Sequence, residues 1–272
     1  MNPVQALKDL SHPNKERREE AYQKVREYLV SIDPDVDPYF QQFFRKVSAY
    51  EGKLARELTK LAVNVIEGPE IKHEAELRSL ADFRLKEKEL NEAFAFYKKV
   101  SPLFPSLDYV VDLCCGNGLN GMLWVLQGNA KKAVSIDREE NPNFERVRRR
   151  ILECGNLNQE SIVFYQKDIY EPLPILTGKG LIISIHACGE LTDKVIDSSI
   201  GHSLPFAVMP CCHDYENKSD YIIPQILRYF DIGIAIDIMR AIHIHQAGYD
   251  IILRRISEKI TEKNLILIGK PR

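Results

Sequence analysis

The chain has 272 residues, of which 44% are hydrophobic and 28% are charged, a balance typical of a folded globular protein. Its 37 basic and 39 acidic residues give a net charge of −2 at pH 7, so the whole chain has no electrostatic attraction to nucleic acid or to anionic membranes. No apolar run approaches the roughly 20 residues that cross a bilayer, and the first residues lack a secretory signal pattern. We therefore expect a cytoplasmic protein with no membrane partner and with its six cysteines reduced.

The first part of the chain, residues 1–103, has the pattern of a helical domain. It is dense in Glu, Lys, Arg, Leu and Ala, and its apolar positions recur at intervals of three and four, as on one face of an α-helix. We expect this domain either to select the substrate at the rim of an active site or to serve in packing or dimerisation. The candidate helices span residues 14–29, 39–65, 71–86 and 89–100.

The second part, residues 104–272, alternates short β-branched runs with helical stretches, which predicts a parallel sheet. The strand-like runs span residues 109–114, 133–137, 162–166, 181–186 and 206–211. The candidate helices between and after them span residues 118–127, 143–154, 191–200 and 220–247. Two further strand-like runs, 248–257 and 264–270, are joined by a short connection that favours an antiparallel pair.

A glycine loop follows the first predicted strand. Gly116, Gly118 and Gly121 form a G-x-G-x-x-G pattern, which permits a tight turn and close backbone approach to a ligand at a helix N-terminus. Asp137 lies at the tip of the next predicted strand, near the expected distance of about 20 residues, and is the natural partner of an adenosine ribose. A nicotinamide dinucleotide and S-adenosylmethionine both fit this arrangement.

The negative charge expected at Asp112, at the end of the first strand, favours S-adenosylmethionine over a nicotinamide dinucleotide. A carboxylate at Asp112 repels a pyrophosphate but attracts the cationic end of S-adenosylmethionine. The stretch from Asp112 to Gly118 resembles the D-x-G-x-G-x-G loop of class I methyltransferases, with Cys114 in place of the first glycine. That resemblance implies an α/β fold with a Rossmann-like class I methyltransferase sheet, mostly parallel with an antiparallel last strand, preceded by the all-helical domain.

The resemblance also implies where S-adenosylmethionine is held. Asp168 follows the third predicted strand, at the position where this fold commonly contacts the adenine. The residues that we expect to bind the cofactor are Asp112, Cys114, Gly116, Gly118, Asp137 and Asp168.

Two motifs with histidine and cysteine follow the fourth and fifth predicted strands. They are His186-x-Cys188-Gly-x-Leu-Thr-Asp and Cys211-Cys-His213, and both should lie at the sheet edge beside the glycine loop. They resemble motifs of a methyltransferase group that includes a tRNA ribose 2′-O-methyltransferase family and the module of glutathione S-transferase C-terminal domain-containing proteins. We expect His186, Cys188, Cys211 and His213 to form the acceptor side, with a histidine as general base.

A metal site is the alternative interpretation of these motifs. Residues two apart on a strand face the same side, so His186 with Cys188 and Cys211 with His213 offer a Cys2His2 zinc set. The spacing is not that of a known closed site, and adjacent Cys211 and Cys212 are expected to point to opposite faces of the strand. We therefore predict no metal.

Thr192 and Asp193 are assigned equally to the site and to capping of the following helix.

The sequence thus predicts an S-adenosylmethionine-dependent methyltransferase whose acceptor is open among RNA, protein and small molecules. The alternatives are a nicotinamide-dependent oxidoreductase and a non-catalytic scaffold that binds S-adenosylmethionine. An RNA partner needs a local basic patch, for which the candidates are the arginines at 146, 148, 149 and 150. Such a run is more often a solvated helix face than a binding surface.

Overall fold

The computed structural model describes residues 69–80, 85–185, 187–213 and 232–272 and, near the N-terminus, residues 14, 16, 17, 19–21, 23, 24 and 27. The chain divides into two compact units, Met1–Glu70 and Ile71–Arg272. In the first unit, the described residues from Glu16 to Glu27 are helical, as the predicted helix over residues 14–29 requires. The helix predicted over residues 39–65 lies outside the described residues.

The described part of the second unit alternates helices and strands. No described helix is both long enough and apolar enough to cross a bilayer. The helices are α1 (Glu74–Arg78), α2 (Glu87–Val100), α3 (Leu119–Leu126), α4 (Phe144–Gly155), α5 (Glu190–Gly201) and α6 (Ile232–Gln246), with single 3-10 turns at Ser101–Leu103 and Gln159–Ser161. The strands are β1 (Leu107–Leu113), β2 (Ala130–Asp137), β3 (Ile162–Gln166), β4 (Gly180–Ile185), β5 (Phe206–Met209), β6 (Tyr249–Arg255) and β7 (Leu265–Pro271).

The strands form one sheet in the order β3-β2-β1-β4-β5-β7-β6. Strands β1 to β5 are parallel, and Val111 of β1 pairs with Val134 of β2 on one side and Ile182 of β4 on the other. Strand β7 runs antiparallel to both of its neighbours, β5 and β6. The short connection from β6 to β7 cannot cross over the sheet, so these strands return antiparallel. The predicted Rossmann-like sheet with an antiparallel last strand is confirmed.

Helices cover both faces of the sheet. Val110 packs into one apolar core with Trp124 of α3 and other residues of α2 and α4. Its neighbour Val111 packs into a second core with Val195 of α5 and Ile244 of α6. Because both faces are buried, the central strands are nearly continuous apolar runs, which is why they stand out in the sequence.

Helix α2 belongs to the sheet's unit, although its sequence continues the helical pattern of the first part. Tyr97 of α2 packs edge-to-face on Trp124 of α3, with ring centroids 5.4 Å apart, and Leu90 is buried in the same core. The division between units therefore falls between Glu70 and Ile71, earlier than the 103/104 boundary that composition suggests. Helical periodicity shows that a face is apolar but not which core it joins.

Candidate active site

The glycine loop adopts a left-handed backbone at the carboxyl end of β1. The φ angles are 55° at Cys114, 52° at Gly116 and 76° at Gly118. A Cβ atom at Gly118 would lie 2.5 Å from Cε2 of Phe144, so a larger residue fits there only if the Phe144 ring moves. Cys114 occupies a conformation that costs an L-residue roughly 1–2 kcal/mol, which explains why a glycine is typical at this point of the pattern.

Asp137 joins the tip of β2 to this loop. Its Oδ2 accepts a hydrogen bond from the Gly116 backbone nitrogen at 2.9 Å, and its Oδ1 accepts one from the Arg138 backbone nitrogen at 2.8 Å. A carboxylate has about four acceptor positions, so these two bonds leave capacity for a ligand's hydroxyl groups.

A cleft of about 350 Å³ opens at the carboxyl ends of β1, β2 and β3. A side chain added at Gly116 would meet nothing within 4 Å, so the loop backbone is accessible there. Asp168 accepts a hydrogen bond from the Tyr170 backbone nitrogen at 3.1 Å. The lining includes three predicted cofactor residues, Cys114, Asp137 and Asp168, and the apolar Ile136, Ile169 and Leu191.

Asp112 differs from its expected role. Its side chain is fully buried, and its Oδ2 accepts a hydrogen bond from the Gly121 backbone nitrogen at 3.0 Å. Burial raises the pKa of Asp112 to about 8, so the carboxyl is mainly protonated at neutral pH. The expectation that a negative charge here faces a cationic ligand is therefore not met, and Asp112 instead fixes the start of α3 against β1.

Three cysteines converge beside the cleft at the ends of β4 and β5. The Sγ atom of Cys188 lies 3.1 Å from that of Cys211 and 3.5 Å from that of Cys212, and the latter two are 3.6 Å apart. The expectation that Cys211 and Cys212 point to opposite faces is wrong, because β5 ends at Met209 and the following residues have no strand alternation. His186, which precedes this cluster, lies outside the described residues.

The cysteines near the cleft favour the protonated thiol. Burial raises the pKa of Cys114 to about 12, and the charge of Asp137 adds to that shift. Burial likewise raises the pKa values of Cys188 and Cys211. A protonated thiol is a weak nucleophile, so these side chains, without a metal, are suited to lining a site and not to attack.

His213 is held by a buried carboxylate. Its Nε2 donates a hydrogen bond to Oδ2 of Asp237 at 3.1 Å, and the His213 side chain is only 8% exposed. Its Nδ1 is buried without a hydrogen-bond partner among the described residues. Because Nε2 carries the donated proton, Nδ1 is the lone-pair atom of the neutral ring.

Arg240 links His213 to the loop that carries Cys188. It donates from Nη1 to Asp237 at 2.9 Å, from Nε to Asp193 at 3.0 Å and from Nη2 to the Gly189 carbonyl at 3.2 Å. Sequence reasoning missed Asp237 and Arg240, although two charges three residues apart in the apolar run IAIDIMRAI are a signal of a buried pair.

Neither residue proposed as a helix cap caps α5. The helix begins at Glu190 with Gly189 as its N-cap and no side-chain capping bond. Thr192 instead donates to the Ala187 carbonyl, and Asp193 contacts Arg240.

The candidate basic patch on α4 is partly used in packing. Arg148 donates to the carbonyl groups of Ile162 and Gln159, and Arg150 donates to the carbonyl of Glu76. Arg146 and Arg149 are exposed. An RNA partner stays a prediction.

Comparison with known proteins finds a similarity to methyltransferase domains. Residues 85–217 match the model of a methyltransferase domain family. The glutathione S-transferase C-terminal domain-containing protein of Xenopus laevis is 31% identical over 124 residues, which cover 45% of this chain and 19% of that protein. The Homo sapiens protein of the same name is 30% identical over 120 residues, which cover 43% and 18%. The match thus spans about a fifth of the length of these relatives.

Solved structures with a similar backbone fold include two O-methyltransferase family proteins. The one from Burkholderia thailandensis is 12% identical, with a TM-score of 0.40 over 97% of this chain and 75% of its own. The one from Planctomyces limnophilus, in complex with apigenin, is 14% identical, with a TM-score of 0.46 over 80% and 68%. The family match covers the glycine loop and both histidine and cysteine motifs, so residues 85–217 are similar to a methyltransferase domain.

Proposed function

We propose that this protein is a methyltransferase that uses S-adenosylmethionine, bound in the cleft at the ends of β1, β2 and β3. The observation that carries the proposal is the Asp137 carboxylate, which Gly116 holds at the wall of a cleft of about 350 Å³ within the matched domain. Methyltransferase domains of this family generally use that cofactor. When bound, it supplies an electrophilic methyl group on a sulfonium sulfur.

The residues of the cleft fit the adenosine part of such a cofactor. The free acceptor positions of Asp137 suit ribose hydroxyl groups. Ile136 and Ile169 offer apolar walls for the adenine ring. Gly116 has open space where a side chain would be, so the loop backbone is accessible to the ligand. The sulfonium end is not assigned to Asp112, because that carboxyl is buried and mainly neutral.

His213 is our candidate for the general base on the acceptor side. Asp237 orients the ring and fixes the tautomer, so the Nδ1 lone pair can take a proton from a hydroxyl or amine acceptor. No described residue bonds to this buried Nδ1, and leaving a buried nitrogen unpaired costs about 1–3 kcal/mol, so a substrate hydroxyl or amine is our candidate partner. A positioned base contributes about 10²–10⁴-fold to a reaction of this kind.

RNA is the acceptor class that we propose to test first. The motifs ending in Asp193 and His213 resemble those of a group that includes tRNA ribose methyltransferases, and a ribose hydroxyl needs a base to lose its proton. Protein and small-molecule acceptors are tested in parallel.

The experiment measures transfer of a labelled methyl group from S-adenosylmethionine to RNA, protein and small-molecule fractions. His213→Gln should lower transfer by at least about 100-fold and leave the affinity for S-adenosylhomocysteine unchanged. His243→Gln is the matched control, because His243 is an exposed histidine that also contacts a carboxylate, Asp197 at 2.9 Å. Full activity of His213→Gln would remove the base role. Cofactor binding without transfer to any fraction would favour the scaffold.

A further inference from the structure

The three cysteines Cys188, Cys211 and Cys212, here called the thiol cluster, surround a common point. Their Sγ atoms are separated by 3.1, 3.5 and 3.6 Å, so each sulfur contacts both of the others. A disulfide at about 2.05 Å joins only two sulfurs and leaves the third unused. A single metal ion bonds to all three.

The spacing is close to that of thiolates around zinc. Zinc–sulfur bonds are about 2.3 Å long, so two sulfurs of a tetrahedral zinc site lie about 3.8 Å apart. Small outward movements of the three side chains therefore open the cluster to that geometry. We propose that the thiol cluster binds one Zn²⁺ ion. Binding forms three zinc–sulfur bonds and releases up to three protons to the solvent, with no change of oxidation state.

The loops that carry the thiol cluster are fixed by one buried ion network. Arg240 donates to the carbonyl of Gly189, next to Cys188, and also to Asp237. Asp237 in turn holds His213, next to Cys212. Such contacts outside the ligand shell hold ligands in place in metal sites. Here the side chains of Arg240 and Asp237 position both of the loops that carry the thiol cluster.

The thiol cluster is also accessible, and it is the group of three potential metal ligands found among the described residues. Cys188 and Cys212 are exposed, which provides an entry path for the ion. Among the described residues, the potential ligand atoms that lie within 4.8 Å of one another belong to these three cysteines and not to His213, so the ligand set differs from the Cys2His2 set that the sequence offers. Three protein ligands with a fourth position for water or substrate is the arrangement of catalytic zinc sites, whereas structural sites are closed.

Zinc content tests this proposal without knowledge of the methyl acceptor or the cofactor. The full chain is purified under reducing conditions, stripped with a chelator and titrated with zinc chloride. We expect one Zn²⁺ per chain with sub-micromolar affinity, and Co²⁺ in its place should give the intense visible bands of tetrahedral thiolate coordination. Cys212→Ser should lower zinc affinity by at least about 100-fold. Cys154→Ser, at a half-buried cysteine near the end of α4, should leave it unchanged.

Three results would overturn the proposal. One is the absence of zinc and cobalt binding by folded protein whose thiols all react with a thiol reagent. Another is a disulfide between Cys188 and Cys211 in the protein purified under reducing conditions. The third is equal zinc affinity in Cys212→Ser and the unmodified chain. The cobalt spectrum needs no variant, so it decides the matter even if a substitution prevents folding.

Discussion

The Asp137 carboxylate accepts a hydrogen bond from the Gly116 backbone nitrogen at 2.9 Å. This bond joins the ends of two neighbouring parallel strands and places a carboxylate at the cleft wall. Rossmann-like sheets bind ligands outside the carboxyl ends of their strands, so the bond positions the Asp137 carboxylate in the cleft that we propose for the cofactor.

Asp112→Asn should change how the protein's stability depends on pH. The pKa of Asp112 is raised from 3.8 to about 8 by burial, so the folded protein keeps a proton that the unfolded chain loses near pH 4. The stabilisation from this protonation is complete below about pH 4 and is lost as pH rises towards 8. Asparagine has no such titration, and its amide oxygen can still accept the Gly121 hydrogen bond.

Urea unfolding at pH 5 and pH 8 measures this difference. Between these two values the free energy of unfolding of the unmodified protein should fall, relative to Asp112→Asn, by an amount on the order of a few kcal/mol. An identical pH dependence in both proteins would show that Asp112 is ionised in the folded state.

Cys114→Gly should be more stable than Cys114→Ala by about 1 kcal/mol. Both variants lose the thiol, but alanine keeps the steric cost of the left-handed backbone at φ 55° and glycine does not. Thermal unfolding of both variants measures the difference. The same pair at Cys154, inside helix α4, is the control and should show the reverse order. Equal stability of the two variants at position 114 would contradict the strained loop.

Arg240→Met should destabilise the protein by about 3 kcal/mol. Arg240 is 3% exposed, and its removal leaves Asp237 and Asp193 without their buried partner, which is the costly way to break an ion network. Denaturant unfolding measures the loss. Arg254→Met, on the exposed surface of β6, should change stability by no more than about 0.5 kcal/mol. A similar small change at Arg240 would mean that the network contributes little.

The fold was predictable because its signals are local. Strand β3 matches its predicted bounds of 162–166, and α2 begins two residues before its predicted start at Glu89. Apolar runs, glycines and helical spacing are all read within a short window of sequence. The boundary between the two units was not predictable in this way, since it depends on the packing of Tyr97 against Trp124, which are distant in sequence.

The candidate site was predictable only in part, because its chemistry depends on contacts between distant residues. Placement of Asp137 at the cleft follows from strand order and spacing. The raised pKa of Asp112 follows from its full burial. Its surroundings include Gly121, where an added Cβ would lie 2.9 Å from the Asp112 Cβ, and no pattern in the sequence encodes that distance. The thiol cluster likewise depends on the chain leaving β5 at Met209.

Calorimetric titration with S-adenosylhomocysteine, the demethylated cofactor, tests the central claim most directly. The unmodified protein should bind one molecule with micromolar affinity, and Asp137→Asn should bind at least about tenfold more weakly, which corresponds to 1.4 kcal/mol. Asp250→Asn, which removes a carboxylate from the exposed edge strand β6, should bind as the unmodified protein does. Absence of binding by the folded protein, or equal affinity of Asp137→Asn and the unmodified protein, would contradict the cofactor site described above.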